Sequence, residues 1–312
     1  MKIRLGYACI SDTLGMTTSS TYTYSSFCKE NDFFKLDRII QSNFFALENI
    51  LLYNKKNNIH FYRLSSGLIP LATKKEVKFE YIKKYKLWYQ KLSEIINEEN
   101  MRVDFHPSEY CVLNSVRSEV VSSSIEILEY HYNLLENLNI KDKVLVVHVG
   151  SLEFGKNNAI ARFCNTFLKL RKEIQNVLVI ENDDKVFNID DCIEIYKRIG
   201  VPIVFDYHHH VCNPGELKLE DALKYVLASW KDRVPKMHFS SPKSKLKKEI
   251  RSHHEYINSI EFIKFIEILK KFDFDVDVMI EAKRKDEAMF RLIRELKYRK
   301  DYLFVDETTF IV

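Results

Sequence analysis

Eight short apolar runs of the β-strand type alternate along this chain with longer amphipathic stretches of helical period. The runs span residues 3–10, 59–64, 101–106, 143–148, 177–181, 202–206, 236–239 and 277–282. The helical stretches span residues 36–53, 76–97, 119–138, 160–172, 190–199, 219–228, 257–271 and 286–297. Because a helical stretch follows each run, the pattern predicts an α/β fold of the (β/α)₈ or TIM-barrel type, with eight parallel strands in a closed sheet.

A doubly wound open sheet is the alternative architecture for alternating strands and helices. Such a sheet more often has about five to seven strands and a glycine-rich phosphate-binding turn. The chain of 312 residues has only 7 glycines, and none of them lies in a G-x-G-x-x-G or Walker-type pattern. Since no linker, repeat or low-complexity tract divides the chain, we predict a single barrel domain over residues 1–312.

Composition excludes several classes of protein. A hydrophobic content of 46% is too high for a disordered chain, and no apolar run approaches the roughly 18 residues of a membrane span. The opening residues lack the apolar stretch of a secretory signal. The six cysteines form no C-x-x-C pair, which argues against thiolate zinc sites and redox motifs. We therefore predict a cytoplasmic protein with reduced thiols, which does not bind membranes.

Side chains that can ligate metals lie at or just past the ends of six consecutive runs, from the third to the eighth. They are Asp104, His106, His148, Glu181, Asp183, Asp206, His208, His209, His210, His238 and Glu281. In a TIM barrel the carboxyl ends of the strands meet at one mouth, where active sites are built. Burying several carboxylates and imidazoles together without a cation is unfavourable. The pattern therefore predicts a divalent metal site at the C-terminal mouth of the strands.

The ligand types restrict the metal but leave the reaction open. A mixture of imidazole and carboxylate without thiolate suits Mn²⁺, Fe²⁺, Co²⁺ or Zn²⁺ better than Mg²⁺ or Ca²⁺ alone. Several carboxylates able to bridge ions, with Glu181 central among them, favour a multinuclear site. Such sites cleave phosphodiesters, but the same ligands would also serve a sugar isomerase.

Lys236 lies two residues before His238, so both side chains point into the barrel if this run is a strand. An ammonium group beside metal cations would be repelled. The sequence leaves two interpretations of Lys236: a lysine paired with a neighbouring acid, or a neutral or carboxylated lysine beside the metals.

Basic residues follow the seventh and eighth runs on the mouth side. They include Lys243, Lys245, Lys248 and Arg251 after one run, and Lys283 and Arg284 after the other. Charge runs are usually only solvated surface, but these two flank the predicted metal site. Their position favours a partner with phosphate groups.

Short motifs in a fixed order over most of the chain identify a family. They are Arg4-Leu5-Gly6-Tyr7, Tyr62-Arg63-Leu64-Ser65-Ser66, His106-Pro107-x-x-Tyr110, Val147-His148-Val149-Gly150, Glu181-Asn182-Asp183, Asp206-x-x-His209, Lys236-x-His238-x-Ser240 and Glu281-Ala282-Lys283. Together they resemble the ultraviolet-damage endonuclease family of metal-dependent barrels. The resemblance implies a Mn²⁺-dependent DNA repair enzyme. It would cut damaged double-stranded DNA on the 5′ side of cyclobutane pyrimidine dimers and (6-4) photoproducts, leaving a 3′-hydroxyl, with abasic sites as a further candidate substrate.

The resemblance also implies site residues. The metal ligands would be His106, His148, Glu181, Asp206, His209, His238, His253 and Glu281, with His254 as an alternative to His253. Glu181, Asp206, Lys236 and His238 would be catalytic, with a metal-activated hydroxide as the nucleophile. Lys236 matches a lysine that can carry a carboxylate modification in the family.

Residues at the mouth would bind the damaged DNA. They are Tyr7, Ser11, Arg63, Glu109, Tyr110, Lys243, Lys245 and Lys283. Two of them depart from the family pattern, because Glu109 stands where glutamine is common and Ser11 stands where asparagine is frequent. Both departures bear on lesion affinity or preference rather than on the metal chemistry.

Three function classes follow from these observations. The first is an ultraviolet-damage endonuclease, which family habit suggests is a monomer. The second is a sugar isomerase or epimerase on the same barrel, which would not explain the basic residues around the mouth. The third is a protein that senses distorted DNA without cutting it.

Overall fold

Eight parallel strands close into a barrel in the computed structural model, which describes residues 1–77, 79–108, 110–246 and 248–312. The barrel strands are β1 (Lys2–Ala8), β2 (Phe61–Leu64), β3 (Arg102–Phe105), β4 (Leu145–His148), β5 (Leu178–Glu181), β6 (Ile203–Asp206), β7 (Lys236–Phe239) and β8 (Val276–Ile280). Each strand pairs with the next, and β1 pairs with both β2 and β8. The predicted TIM barrel is confirmed, and each predicted run overlaps one of its strands.

Twelve helices lie within the described residues. They are α1 (Tyr24–Glu30), α2 (Phe33–Lys56), α3 (Tyr81–Lys84), α4 (Lys86–Glu98), α5 (Ser118–Asn137), α6 (Lys156–Lys169), α7 (Lys172–Val177), α8 (Ile189–Ile199), α9 (Tyr207–Cys212), α10 (Leu219–Ser229), α11 (Ser259–Lys270) and α12 (Lys285–Leu296). No helix among the residues that the structure describes is long and apolar enough to cross a bilayer.

Two predicted helices differ from the structure in a way that the local packing explains. The stretch 76–97 is divided into α3 and α4 at Tyr85, whose backbone leaves helical geometry. Tyr85 is buried, its ring lies against Phe44, and its hydroxyl donates to Asp37. The stretch 160–172 ends earlier, because Leu170 and Arg171 are extended and α7 begins after them.

The barrel interior is unusually polar. Side chains alternate across each strand, so every second one points inward. Inside the barrel, contacts join strands that are not neighbours: Arg102 on β3 donates to Asp277 on β8 at 2.7 Å, and Lys236 on β7 donates to Asp104 on β3. A Cβ on the inward side of Gly6 would lie 2.2 Å from the Phe61 carbonyl oxygen, so β1 needs glycine there.

The outward-facing side chains are apolar. Leu5, Val147 and Ile180 are buried in the same hydrophobic cluster as residues of the surrounding helices. This arrangement is typical of parallel sheets covered by helices. Most of the hydrophobic core therefore lies outside the barrel, between strands and helices. The interior holds charged groups together with two smaller apolar clusters, one of Val144, Val146, Val179, Val204 and Trp230 and one of Ala8, Phe61 and Met279.

A C-terminal hairpin of β9 (Leu303–Phe304) and β10 (Thr309–Ile311) completes the sheet. β10 pairs antiparallel with the first residues of β1, where Lys2 faces Ile311. The hairpin lies at the end of the barrel opposite the mouth. No pattern in the sequence predicted this hairpin, because its strands are only two and three residues long.

His131 on α5 gives the fold a predicted pH dependence. It is buried against Phe105 and Tyr130, and its Nδ1 donates to the Ile127 carbonyl at 2.7 Å. Burial lowers the pKa of His131 from 6.5 to about 4. Between these values the unfolded chain binds a proton that the folded chain does not, so His131 reduces stability as the pH falls from 6.5 to 4.

We expect His131→Leu to remove this part of the acid sensitivity. Relative to wild type, the variant should gain about 3 kcal/mol in unfolding free energy between pH 6.5 and pH 4. Urea unfolding of both proteins across this range measures the difference. Two curves that stay parallel would contradict the assignment.

Candidate metal centre

Seven predicted metal ligands converge at the mouth of the barrel. They form three groups in which the ligand atoms lie within 4.8 Å of one another: His106, His148 and Glu181; Glu181, Asp206 and His209; Asp206, His238 and Glu281. Glu181 and Asp206 each belong to two groups. Shared carboxylates of this kind are the groups that can bridge ions in a multinuclear site.

Glu181 lies at the centre of the cluster. It ends β5, is 1% exposed, and pairs in register with His148 on β4. One carboxylate oxygen lies 2.8 Å from Nε2 of His106, and the other lies 2.8 Å from Nδ1 of His238. Nδ1 of His209 is 3.4 Å from the same oxygen as His238. Three imidazoles from three elements therefore face one buried carboxylate.

Asp206 and His209 are brought together by a helix cap. Asp206 ends β6 and is the N-cap of α9, where its Oδ1 accepts from the His209 backbone N–H at 2.7 Å. The His209 ring is oriented by Asn182, whose carbonyl accepts from Nδ1 at 2.9 Å. Because α9 begins directly at the end of β6, two ligands that are three residues apart in the sequence lie next to each other in space.

The electrostatics of the cluster favour a cation. Burial, opposed by the attraction of His209 and reinforced by Glu181, raises the pKa of Asp206 to about 7. Its Oδ2 is buried and has no hydrogen-bond partner among the described residues. Burial alone would lower the pKa of His209, but Asp206 and Glu181 raise it to about 11. Protons on Asp206 and His209 thus supply the positive charge that a bound metal would otherwise supply. The donor set fits a divalent ion.

Two fixed cations lie beneath the ligands. Arg63 donates from Nη1 to Glu281 at 2.5 Å, and its Nη2 lies 2.7 Å from Nε2 of His238. Lys236 donates to Asp104, and burial, partly offset by this carboxylate, lowers the pKa of Lys236 to about 8. Asp104, Glu181 and Asp206 are buried and Glu281 is half-buried, so four carboxylates face two cationic side chains. This excess of carboxylates favours the binding of further positive charge at the mouth.

Arg63 and Lys236 are both buried beneath the ligands. Arg63, predicted to bind DNA, is 7% exposed and contacts Glu281 and His238; its DNA contact stays a prediction. Lys236 is paired with a neighbouring acid, which is the first of the two interpretations that the sequence left open.

His253 lies beside the cluster rather than in it. Its ring centre is 6.4 Å from that of His209, and it belongs to none of the three groups. His254 is exposed, and its Nδ1 accepts from the Tyr256 backbone N–H. Of the consecutive histidines after β6, His209 joins the cluster, whereas His208 packs against His253 and His210 against Phe205.

Two residues predicted to contact DNA are buried. Tyr7 is fully buried, with its ring against Tyr62 and its hydroxyl donating to Asn54 at 2.8 Å. Ser11 is 1% exposed and donates to Asp286 at 2.9 Å. These hydrogen bonds tie β1 to α2 and the loop after β1 to α12, and the DNA contact of both residues stays a prediction.

The remaining predicted DNA contacts lie on the surface of the mouth. Tyr110 is 75% exposed, and Lys245 and Lys283 are exposed. Lys243 is exposed but pairs with Glu249 at 2.6 Å. Glu109 lies outside the residues that the structure describes.

Two further residues, Asp104 and Asn182, support the ligands; the sequence indicated Asp104 only as a possible metal ligand and Asn182 only as part of a motif. Asp104 lies two residues before His106 on β3, so the rule of alternation used for Lys236 and His238 would have placed it inside the barrel. Asn182 clamps the end of β6, since its side chain accepts from the Asp206 N–H and donates to the Asp206 carbonyl. No spacing rule identifies such an amide from sequence.

Comparisons with known proteins agree with this architecture. The family model described as UV-endonuclease UvdE matches residues 3–306. Proteins named UV DNA damage endonuclease from Bacillus cereus and Bacillus anthracis are 38% identical over 306 residues, which is 95% of this chain and 95% of theirs. The crystal structure of SacUVDE matches with a TM-score of 0.86 and 35% identity, over 95% of this chain and 98% of that one.

More distant structures share the fold alone. Endonuclease IV from Thermus thermophilus matches with a TM-score of 0.59 at 13% identity, over 95% of this chain and 98% of that one. An L-ribulose 3-epimerase matches with a TM-score of 0.57, also at 13% identity, over 98% and 90% of the two chains. The same barrel is therefore compatible with more than one chemistry.

Metal binding should depend on pH, because a metal must displace protons from its ligands. Asp206, with a pKa of about 7, and His209, with a raised pKa, would both release protons. We expect the affinity of the metal-stripped protein for Mn²⁺ to rise about tenfold or more from about pH 6 to about pH 8. Calorimetric titration in buffers of different ionisation enthalpy measures both affinity and proton release. Equal affinities with no proton release would contradict the assignment of these ligands.

Proposed function

The chain belongs to the UV-endonuclease UvdE family, and from this premise we propose that it is a divalent-metal-dependent endonuclease that cuts DNA 5′ to ultraviolet photoproducts. The cut would leave a 3′-hydroxyl, and cyclobutane pyrimidine dimers, (6-4) photoproducts and abasic sites are the proposed lesions. The observation that carries the proposal is the cluster of carboxylates and imidazoles around Glu181, at the mouth of a barrel from this family.

The ligand cluster supports a divalent metal, and the family resemblance implies Mn²⁺. We propose Mn²⁺, held by His106, His148, Glu181, Asp206, His209, His238 and Glu281, with His253 near enough to complete the shell. When bound, such ions would stabilise negative charge on the phosphate and make water a better nucleophile at neutral pH.

The chain's own residues would orient these ligands. Arg63 fixes Glu281 and His238 through two nitrogens of one planar guanidinium group. Lys236 and Asp104 form a buried pair beneath them. Since metal sites depend on the groups that orient their ligands, we propose that these three residues maintain the geometry of the site.

Exposed residues around the mouth would bind the duplex. We propose that the exposed side chains of Lys245 and Lys283 neutralise phosphates and that Tyr110, which is 75% exposed, stacks on an unpaired base. Damaged bases are already weakly stacked and paired, so moving them out of the helix requires less free energy than moving normal bases. This difference would be a source of selectivity for lesions. We further propose a monomer that acts in the cytoplasm.

Neither alternative function has comparable support. A sugar isomerase or epimerase would use the same ligands, but the L-ribulose 3-epimerase resembles this chain in its fold alone. A sensor that does not cut would have no need for a cluster of three ligand groups. Family membership and the basic residues around the mouth favour the endonuclease.

Glu181 should be essential for incision. We expect Glu181→Gln to reduce cutting by more than about a hundredfold, beyond the range for groups that only orient ligands, because one carboxylate serves two ligand groups. The assay uses an end-labelled duplex with one cyclobutane dimer, with Mn²⁺ or EDTA. The matched control is Glu173→Gln, because Glu173 is an exposed residue on α7 at the opposite end of the barrel. Full activity of a folded Glu181→Gln protein would refute the mechanism.

Lys283 should contribute to phosphate binding. We expect Lys283→Ala to weaken binding to damaged and undamaged duplexes alike. The slope of log affinity against log salt should become shallower by about one, since one counterion fewer is released. Lys172→Ala, at the opposite end of the barrel, should leave the slope unchanged. A Lys283→Ala slope equal to that of wild type would exclude the contact.

A further inference from the structure

The loop between β4 and α6 exposes two large apolar side chains beside the metal centre. Leu152 is 47% exposed and Phe154 is 71% exposed, although both closely follow His148 at the end of β4. Neither residue belongs to the ligand cluster or to the predicted DNA contacts. Single exposed apolar residues are common on protein surfaces, but the place of these two beside the ligand cluster makes them candidates for contact with a molecule bound there.

The loop is held in one conformation by its own hydrogen bonds. Gly155 N–H donates to the Leu152 carbonyl at 2.9 Å, which closes a tight turn. Arg162 on α6 donates to the Glu153 carbonyl, and Asn158 donates to the Phe154 carbonyl. Phe154 has a φ of +61°, an uncommon value for a residue with a side chain. Phe154 is thus fixed in a strained backbone position that points its ring into solvent.

A buried asparagine joins this loop to the loop that follows β3. The Asn114 side chain accepts from the Ser151 N–H at 2.7 Å and donates to the Ser151 carbonyl at 2.8 Å. At Gly150, with a φ of +114°, a Cβ would lie 2.6 Å from the Asn114 side chain, so only glycine allows this approach. Since Tyr110 lies on the loop after β3, the two exposed aromatic rings are carried by one clamped unit.

The clamped unit borders the metal centre. A cavity of about 250 Å³ lies between the two loops and is lined by Cys111, Ser151 and the predicted ligand His148. Neither Phe154 nor Leu152 has a side chain that can donate or accept a hydrogen bond, so their partner must offer an apolar face. DNA that is kinked at a lesion offers such a face on its unstacked bases, and an aromatic ring stacks on a base of any sequence.

We propose that Leu152 and Phe154 form a second base-stacking contact with damaged DNA, beside that of Tyr110. The inference rests on the proposed function and adds a specificity-determining surface to it. Phe154 covers a base face exposed by the kink, Leu152 supports it, and the Asn114 clamp sets the separation between the two aromatic rings. The contact favours distorted DNA, because an intact duplex keeps its base faces covered.

Single-turnover incision of a dimer-containing duplex over a range of enzyme concentrations tests the contact. We expect Phe154→Ala to raise the half-saturating concentration about five- to hundredfold, as for the loss of one base–aromatic stack. The slope of log affinity against log salt should not change, because no phosphate contact is lost. Phe154→Trp should restore binding to within about threefold of wild type.

Phe274→Ala is the matched control, because Phe274 is 45% exposed and precedes β8 at the opposite end of the barrel. It should behave as wild type, and both alanine variants should keep the wild-type unfolding temperature. If wild type cuts the dimer duplex and Phe154→Ala matches Phe274→Ala, the stacking contact is refuted and the endonuclease stands. A Phe154→Ala protein with a changed salt slope also refutes stacking. If wild type neither binds nor cuts the duplex, the proposed function itself fails.

Discussion

The main constraint on this structure is that several negatively charged side chains lie close together inside a closed parallel sheet. Asp104, Glu181, Asp206 and Glu281 all lie within the barrel or at its mouth, where an isolated carboxylate would be strongly disfavoured. The barrel offsets this by connecting strands across its interior, with Arg63 reaching Glu281 and with Lys236 reaching Asp104. These cations also orient the ligands. The contacts that reduce the free-energy cost of burying the carboxylates therefore also set the geometry of the site.

Most of the fold and the centre of the site could be predicted because they rest on regular periodicities. Alternating runs and helices indicated a barrel, and a barrel of parallel strands requires that its strand ends meet. Glu181, Asp206 and His238 could therefore be assigned to one cluster from their positions alone. The choice of His209 among three consecutive histidines needed the family resemblance, because it depends on the turn of α9 after the Asp206 cap.

Other residues could not be assigned, because their roles depend on contacts between distant segments. Tyr7 lies on the first strand and Ser11 shortly after it, but their buried hydrogen bonds go to Asn54 and Asp286, which lie far from them in the sequence. Arg63 is an arginine in a motif of a DNA repair family, and only its 2.5 Å contact with Glu281 shows that it faces the ligands. Local sequence patterns therefore predict the path of the backbone better than they predict which residues a polar side chain contacts.

The C-terminal hairpin ties the two ends of the chain together. Lys2 pairs with Ile311, and the Val312 N–H donates to the Met1 carbonyl at 3.1 Å. The first strand therefore pairs with β2, which follows it, and with β8 and β10, which come after all the other barrel strands. Because synthesis runs from β1 towards β10, a nascent chain holds its first strand without β8 and β10, and the ring of ligands can close only after Glu281 has been made.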